Sequence, residues 1–183
     1  MEMMGEQIIP LPQSAVWDAL NNPDILRQCI PGCDSVERVS DNEYKISMVA
    51  AVGPVKAKFT GKLTIVDPQP PNSYGLAFEG SGGVAGFGKG TADVSLTQES
   101  DAVTRLTYKA TASVGGKLAQ IGSRLIDGVA RKMADGFFTT FTAAATVAAG
   151  LAPAGDAIAE TAEAPKRRGW FGRASVDDAP GDA

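Results

Sequence analysis

The chain has 183 residues, with 17 basic and 21 acidic side chains, no histidine and a formal net charge of −4. That length provides for one domain with a sizeable core and some excess, and the acidic balance argues against nonspecific nucleic-acid binding. Two cysteines, Cys29 and Cys33 in CIPGC, cannot complete a tetrahedral zinc site without histidine, and their spacing is not that of a C-x-x-C redox pair.

Met3 to Ile9 reads as a first strand, ended by Pro10. Pro12 stands where a helix can begin, because a missing N–H costs nothing in the first turn. Gln13 to Leu20 then presents Val16, Trp17 and Leu20 on one face, and Asn21-Asn22-Pro23 breaks the helix. A second short helix, Asp24 to Cys29, stops at Pro31-Gly32, which places both cysteines at a helix end as structural thiols. MEMMGEQIIP has no long apolar region of the signal-peptide kind, and no run is apolar enough for a membrane helix. The expected compartment is therefore the cytoplasm.

From Ser35 the period switches to two. Tyr44, Ile46, Met48, Ala50 and Val52 form one inward row, and Gly53-Pro54 is a turn. Val55, Ala57, Phe59, Gly61, Leu63 and Ile65 form the next, with Lys56, Lys58 and Lys62 on the outer face. Pro68 to Asn72 reads as a loop, followed by an inward row of Tyr74, Leu76, Phe78 and Gly80. Ser81 to Gly88 is a glycine-rich turn without phosphate-loop spacing. Gly90, Ala92, Val94 and Leu96 face inward next, and Leu106, Tyr108, Ala110, Ala112 and Val114 complete the set. The order predicts a strand, two helices and about six antiparallel strands in meander.

Gly115-Gly116 launches the element that the others serve. Leu118, Ile121, Leu125, Val129, Met133 and Phe137 recur at spacings of three and four, the apolar face of a helix from Lys117 to Phe141. Arg124, Asp127, Arg131, Lys132 and Asp135 fall mostly on the solvent side. Gly122, Gly128 and Gly136 interrupt it, each costing about 1 kcal/mol against alanine. Close approach of another backbone, or room for a ligand, would account for them.

Past Gly150 the composition shifts. Residues 150–165 read as a flexible linker, 166–173 as a basic-aromatic motif and 174–183 as a disordered acidic end. Lys166, Arg167, Arg168 and Arg173 flank Trp170 and Phe171, a composition suited to an anionic membrane surface or to docking on a protein.

Chemistry is sparse. No histidine offers acid–base catalysis, and no serine or cysteine has an identifiable base. Small residues crowd the middle of the inward rows: Ala57, Gly61, Gly80, Gly90, Ala92, Ala110 and Ala112. Cores normally pack to crystal density, so these gaps predict a hollow under the helix, unless the glycines serve only the curvature of the sheet. Its walls would come from Met48, Phe59, Phe78, Tyr108, Ile121, Leu125 and Phe137, joined by Leu118, Val129 and Met133 from the helix stripe. An apolar cavity of that kind suits a hydrophobic small molecule.

IPGC (Ile30 to Cys33), GFGKGTADVSL (Gly86 to Leu96) and KLAQIGSRLIDGVARKMADGFF (Lys117 to Phe138) resemble the carbon monoxide dehydrogenase G-subunit family. The resemblance implies the helix-grip fold of the START/polyketide cyclase superfamily over residues 1–149. That is an α+β fold, a curved antiparallel sheet wrapped around a long C-terminal helix, here with a disordered tail. It also implies a noncatalytic partner of a carbon monoxide dehydrogenase-type molybdenum hydroxylase, peripheral on the inner face of the cytoplasmic membrane. The family is associated with recruiting that enzyme to the membrane, and with a cavity for a lipid or quinone rather than a covalent cofactor. The competing expectation is a cyclase- or hydrolase-like enzyme using the same cavity.

Overall fold

A computed structural model describes residues 1–151. The chain opens with strand β1 (Glu2–Ile9), helix α1 (Gln13–Leu20) and helix α2 (Pro23–Cys29). Asn22 caps α2, its side chain accepting from the N–H groups of Asp24 at 2.9 Å and Ile25 at 3.4 Å. Pro23 in the first turn and Asp24 near the positive end of the helix reinforce that start.

Six strands follow: β2 (Cys33–Ser40), β3 (Glu43–Val52), β4 (Val55–Gln69), β5 (Ser73–Ser81), β6 (Phe87–Ser100) and β7 (Val103–Gly115). All seven strands join in one antiparallel sheet of order β1-β7-β6-β5-β4-β3-β2. The meander is as the alternation predicts, with β1 returning beside β7. One boundary differs. The loop expected from Pro68 is instead the end of β4, where a register shift between Val66 and Gln69 carries Pro68 in a bulge.

The inward rows meet the core, as alternation requires of a half-buried sheet: Tyr44, Ile65, Tyr74, Val94, Leu96 and Leu106 are all under 9% exposed. On the outer face Lys62 pairs with Glu43, Lys109 with Glu2, Lys58 with Asp34, and Arg105 with both Glu6 and Glu99. Such exposed pairs contribute little to stability, so the fold is held from the other side.

There the tightest packing gathers where α1, β1, β7 and the C-terminal helix meet. Ile9, Leu11, Val16, Phe141 and Thr104 are completely buried, and Thr104 Oγ1 donates to the Leu11 carbonyl at 2.7 Å. Without that bond a buried hydroxyl would be orphaned.

The stripe from Lys117 to Phe141 does not form one helix. It divides into a single turn, α3 (Lys117–Gln120), and the long α4 (Ser123–Ala148). Gly122 between them has φ +100°, a left-handed conformation that a residue with a Cβ rarely adopts. The 26 residues of α4 run about 39 Å, past Phe141, because Phe141 and Ala145 continue the buried face. Burial is uneven along it: Leu125 is 45% exposed and Phe141 wholly buried.

Candidate functional site: an apolar hollow under the C-terminal helix

Two adjoining hollows lie between the inward face of the sheet and the helices. The first, about 250 Å³, is walled by Leu20, Leu26 and Ile30 from the α1–α2 side, and by Ala134, Phe137 and Phe138 from α4. Its floor is Tyr44, Leu63, Ile65, Tyr74, Leu76, Ala92, Val94, Leu106 and Tyr108. The second, about 320 Å³, lies toward Val52 and Leu118, between Ile46, Met48, Ala50, Phe59, Phe78 and Met133. Ile30 and Leu63 border both, so they form the partition. The second volume is at the lower end of the range for small-molecule sites, about 300–1,000 Å³, and the first falls just below it.

Local sequence explains the placement of the partition. α2 ends at Ile30, and Gly32 with φ +72° turns the chain into β2. The Gly32 carbonyl accepts from the Val49 N–H at 2.8 Å, which pins the turn onto β3 and aims Ile30 inward. A Cβ on Gly136 of α4 would lie 3.6 Å from Pro31 Cγ, so the helix passes close above the same turn. Gly128, by contrast, has open space where a Cβ would be. Each helix glycine therefore has its own circumstance: Gly122 a break, Gly136 a close pass, Gly128 nothing that the surroundings require.

Of the residues that alternation and the helix stripe single out, Met48, Phe59, Gly61, Phe78, Gly80, Leu118 and Met133 line the second hollow. Ala92, Tyr108 and Phe137 line the first. Ala57, Gly90, Ala110, Ile121, Leu125 and Val129 lie outside both. Ile121 sits at the helix break, and Leu125 approaches the β3–β4 turn, where its Cδ2 would meet a Cβ placed on Gly53. The α1–α2 wall was not expected from sequence. Phe138 was missed as well, although it stacks on Tyr108 at 5.3 Å and packs edge-on against Phe137. Lys166, Arg167, Arg168, Trp170, Phe171 and Arg173, with the linker and the acidic end, lie outside the described residues.

The electrostatics are those of an apolar site. Burial pushes the Tyr74 phenol well above its ordinary value, with Tyr44 adding to the effect, and Tyr108 is raised by burial and then by Asp135. The first hollow has no carboxylate and no cation among its lining residues. Lys62 and Glu79 border the second, where they are cross-strand partners on β4 and β5. Asp127, expected on the solvent side, is half-buried, and its Oδ1 is shut from solvent without a partner. Among the described residues no group of three or more potential metal ligands comes together. Cys29 and Cys33 are unpaired thiols. Burial pushes Cys29 up to about 11, and burial then Asp34 raise Cys33, so both are protonated at neutral pH and poor nucleophiles.

The profile of the family described as the G-subunit of carbon monoxide dehydrogenase (CoxG) matches residues 5–146, the sheet and nearly all of α4. The chain belongs to the CoxG family. The three segments that resemble the family all border the hollows: IPGC through Ile30, the β6 segment through Gly88, Ala92 and Val94, and the α3–α4 segment through Leu118, Met133, Ala134, Phe137 and Phe138. A conserved protein from Geobacillus kaustophilus is similar to this CoxG chain at 33% identity and TM-score 0.76, over 81% of this chain and 97% of that one. A START superfamily protein from Mycobacterium smegmatis aligns with TM-score 0.63 at 7% identity, over 80% of this chain and 98% of its own. The Zhui aromatase/cyclase from Streptomyces sp. R1128 aligns with TM-score 0.60 at 14% identity, over 82% and 98%. At those identities the last two share the fold and nothing more is carried from them. No curated protein matches the chain.

Proposed function

We propose that this CoxG-family chain is a noncatalytic accessory protein that holds a hydrophobic ligand, a lipid or quinone, beneath α4. Its partner is a carbon monoxide dehydrogenase-type molybdenum hydroxylase, which it helps recruit or electronically couple to the cytoplasmic membrane. The observation that carries the reading is the partitioned hollow, lined almost wholly by apolar side chains and without a general base or nucleophile in its first compartment. Such a space offers burial rather than chemistry. Native mass spectrometry of the purified full chain, followed by solvent extraction, should recover a hydrophobic molecule in unchanged form. A ligand returned chemically altered by the pure protein would replace carrier with enzyme.

The membrane part of the reading draws on family membership and on the composition of residues 166–173. No helix among the described residues is long and apolar enough to cross a membrane. Attachment therefore rests on surface attraction, with each cation contributing about 1 kcal/mol near an anionic leaflet and the aromatics at headgroup depth. The full chain should co-sediment with anionic liposomes, less at high salt, and a form ending at Gly150 should remain largely in the supernatant. Equal pelleting of the two forms would sink the anchor and leave the segment as a protein-docking peptide.

A further inference from the structure

The two edges of the sheet are built differently. β2 carries the usual protections against pairing with another strand. Its register breaks between Cys33 and Ser35 and again between Arg38 and Ser40, and Asp34, Glu37 and Arg38 are exposed along it. β1 has none of these. Its eight residues, EMMGEQII, hold an unbroken register from Glu2 opposite Thr111 to Ile9 opposite Thr104, without proline, lysine or bulge. Both of its acids are answered from β7, Glu2 by Lys109 at 3.0 Å and Glu6 by Arg105 at 3.1 Å. Alternating with them on the outer face stand Met4, 69% exposed, and Ile8, 51% exposed.

The ladder also fixes which backbone groups are left over. Met1 and Ala112 exchange both of their bonds, at 3.0 and 2.9 Å. Bonded and non-bonded pairs alternate along an antiparallel ladder, so Met3, Gly5, Gln7 and Ile9 bond to β7. Glu2, Met4, Glu6 and Ile8 then direct their N–H and C=O groups away from it. Among the described residues, no hydrogen bond outside the sheet ladders reaches those four backbones. A straight edge with free groups and an exposed apolar row is a template for another strand.

The residues of β1 say which strand fits. Antiparallel pairing of β1 with itself, about a two-fold axis at Gly5, sets Glu2 opposite Ile8 and Met4 opposite Glu6. Each exposed apolar side chain then meets the stem of a glutamate, and no like charges stand directly opposite. On β7, Lys109 lies beside Met4 and Arg105 beside Ile8, so every incoming glutamate has a cation two strand spacings away, about 10 Å. Shifting the register by two residues one way sets Glu2 against Glu6, and the other way Glu6 against itself. We propose that β1 is a self-association edge, through which two copies of this chain pair antiparallel about Gly5 and join their sheets into one. The surface lies apart from the hollows and is independent of what fills them.

Sedimentation equilibrium of the full chain over a wide range of concentration tests it. The expected result is a reversible monomer–dimer equilibrium, with the amide protons of Glu2, Met4, Glu6 and Ile8 exchanging more slowly in the dimer. Met4→Pro removes an N–H that the β7 ladder does not use, so it should leave the monomer folded and weaken the dimer at least about tenfold. Charge reads the register. Met4→Glu sets a carboxylate opposite Glu6 of the second copy and should dissociate the dimer, whereas Met4→Lys sets an ammonium there and should keep it. These two variants decide the case if Met4→Pro fails to fold. A full chain that stays monomeric throughout overturns the proposal, and a dimer seen only in a form ending at Gly150 assigns the edge to the chain's own later residues instead. A dimer indifferent to Met4→Pro, or weakened equally by Met4→Glu and Met4→Lys, is formed by another surface and overturns it too.

Discussion

Replacing Ala134 by leucine should cut ligand retention at least about tenfold while the protein melts no lower than wild type. Ala134 faces the first hollow from α4, opposite the strand floor. Leucine adds three carbons there, into a space of about 250 Å³ that the chain leaves open. In a filled core the same addition would overpack and cost about 1–3 kcal/mol. In an open hollow it buries apolar surface, and cavity filling commonly stabilises by about 0.5–2 kcal/mol. Retention by native mass spectrometry and thermal unfolding separate the cases: loss of both ligand and several degrees of Tm would mean a core already solid at that point.

Replacing Gly90 by alanine should be far more damaging, by about 3 kcal/mol and roughly 6–12 °C in Tm. A Cβ there would run into the Thr111 carbonyl oxygen, lie 2.6 Å from the Phe78 ring and 3.0 Å from Ala112 Cα. The first and third are backbone of the neighbouring strand, which cannot step aside without breaking the β6–β7 pairing. Gly80→Ala is the control, since a Cβ there finds its nearest atoms at 3.6 Å, ordinary contact. Its expected cost is within about 0.5 kcal/mol. If the two alanines melt alike, Gly90 is not required by strand approach.

These two glycines also show what the sequence could and could not disclose. Alternation located both on inward rows, since a period of two depends only on which face is dry. It gave no means of telling room from crowding. Gly80 borders the second hollow with space to spare, whereas a Cβ on Gly61 would lie 2.5 Å from the Glu79 carbonyl oxygen. The small residues thus answer to both expectations at once, some to the hollow and some to the curvature of the sheet. The helix break was hidden for a related reason. Gly122 sits in phase with the apolar stripe, and periodicity is blind to the sign of φ.

The candidate site was half legible. Spacing places the strand floor on inward rows, and Met133 and Phe137 on the facing stripe. It did not tell which inward residues border a hollow: of the first floor only Ala92 and Tyr108 were expected there, and Ala57, Gly90 and Ala110 line neither space. Leu20, Leu26 and Ile30 do not follow from spacing, because their place in the wall depends on how α1 and α2 fold back across the sheet. Nor could spacing show that, of the three tyrosines on inward rows, Tyr44 is the one whose hydroxyl reaches back to the α1 end, at the Asn21 carbonyl. The family resemblance reached the fold and the family directly, and reached the ligand only as an expectation.

The unequal burial of α4 gives one helix two stabilities. Its C-terminal turns are tied to Phe141 and Ala145 in the densest packing of the protein, and can separate from it only when the whole domain unfolds. Its first turns, from Ser123 through exposed Leu125, follow a left-handed glycine and have little apolar surface to lose. Amide protons there should exchange among the fastest of the helix, and those near Phe141 among the slowest. Native-state hydrogen exchange should therefore register the opening of the first two or three turns of α4 as a separate, lower-energy event that leaves the seven-stranded sheet undisturbed.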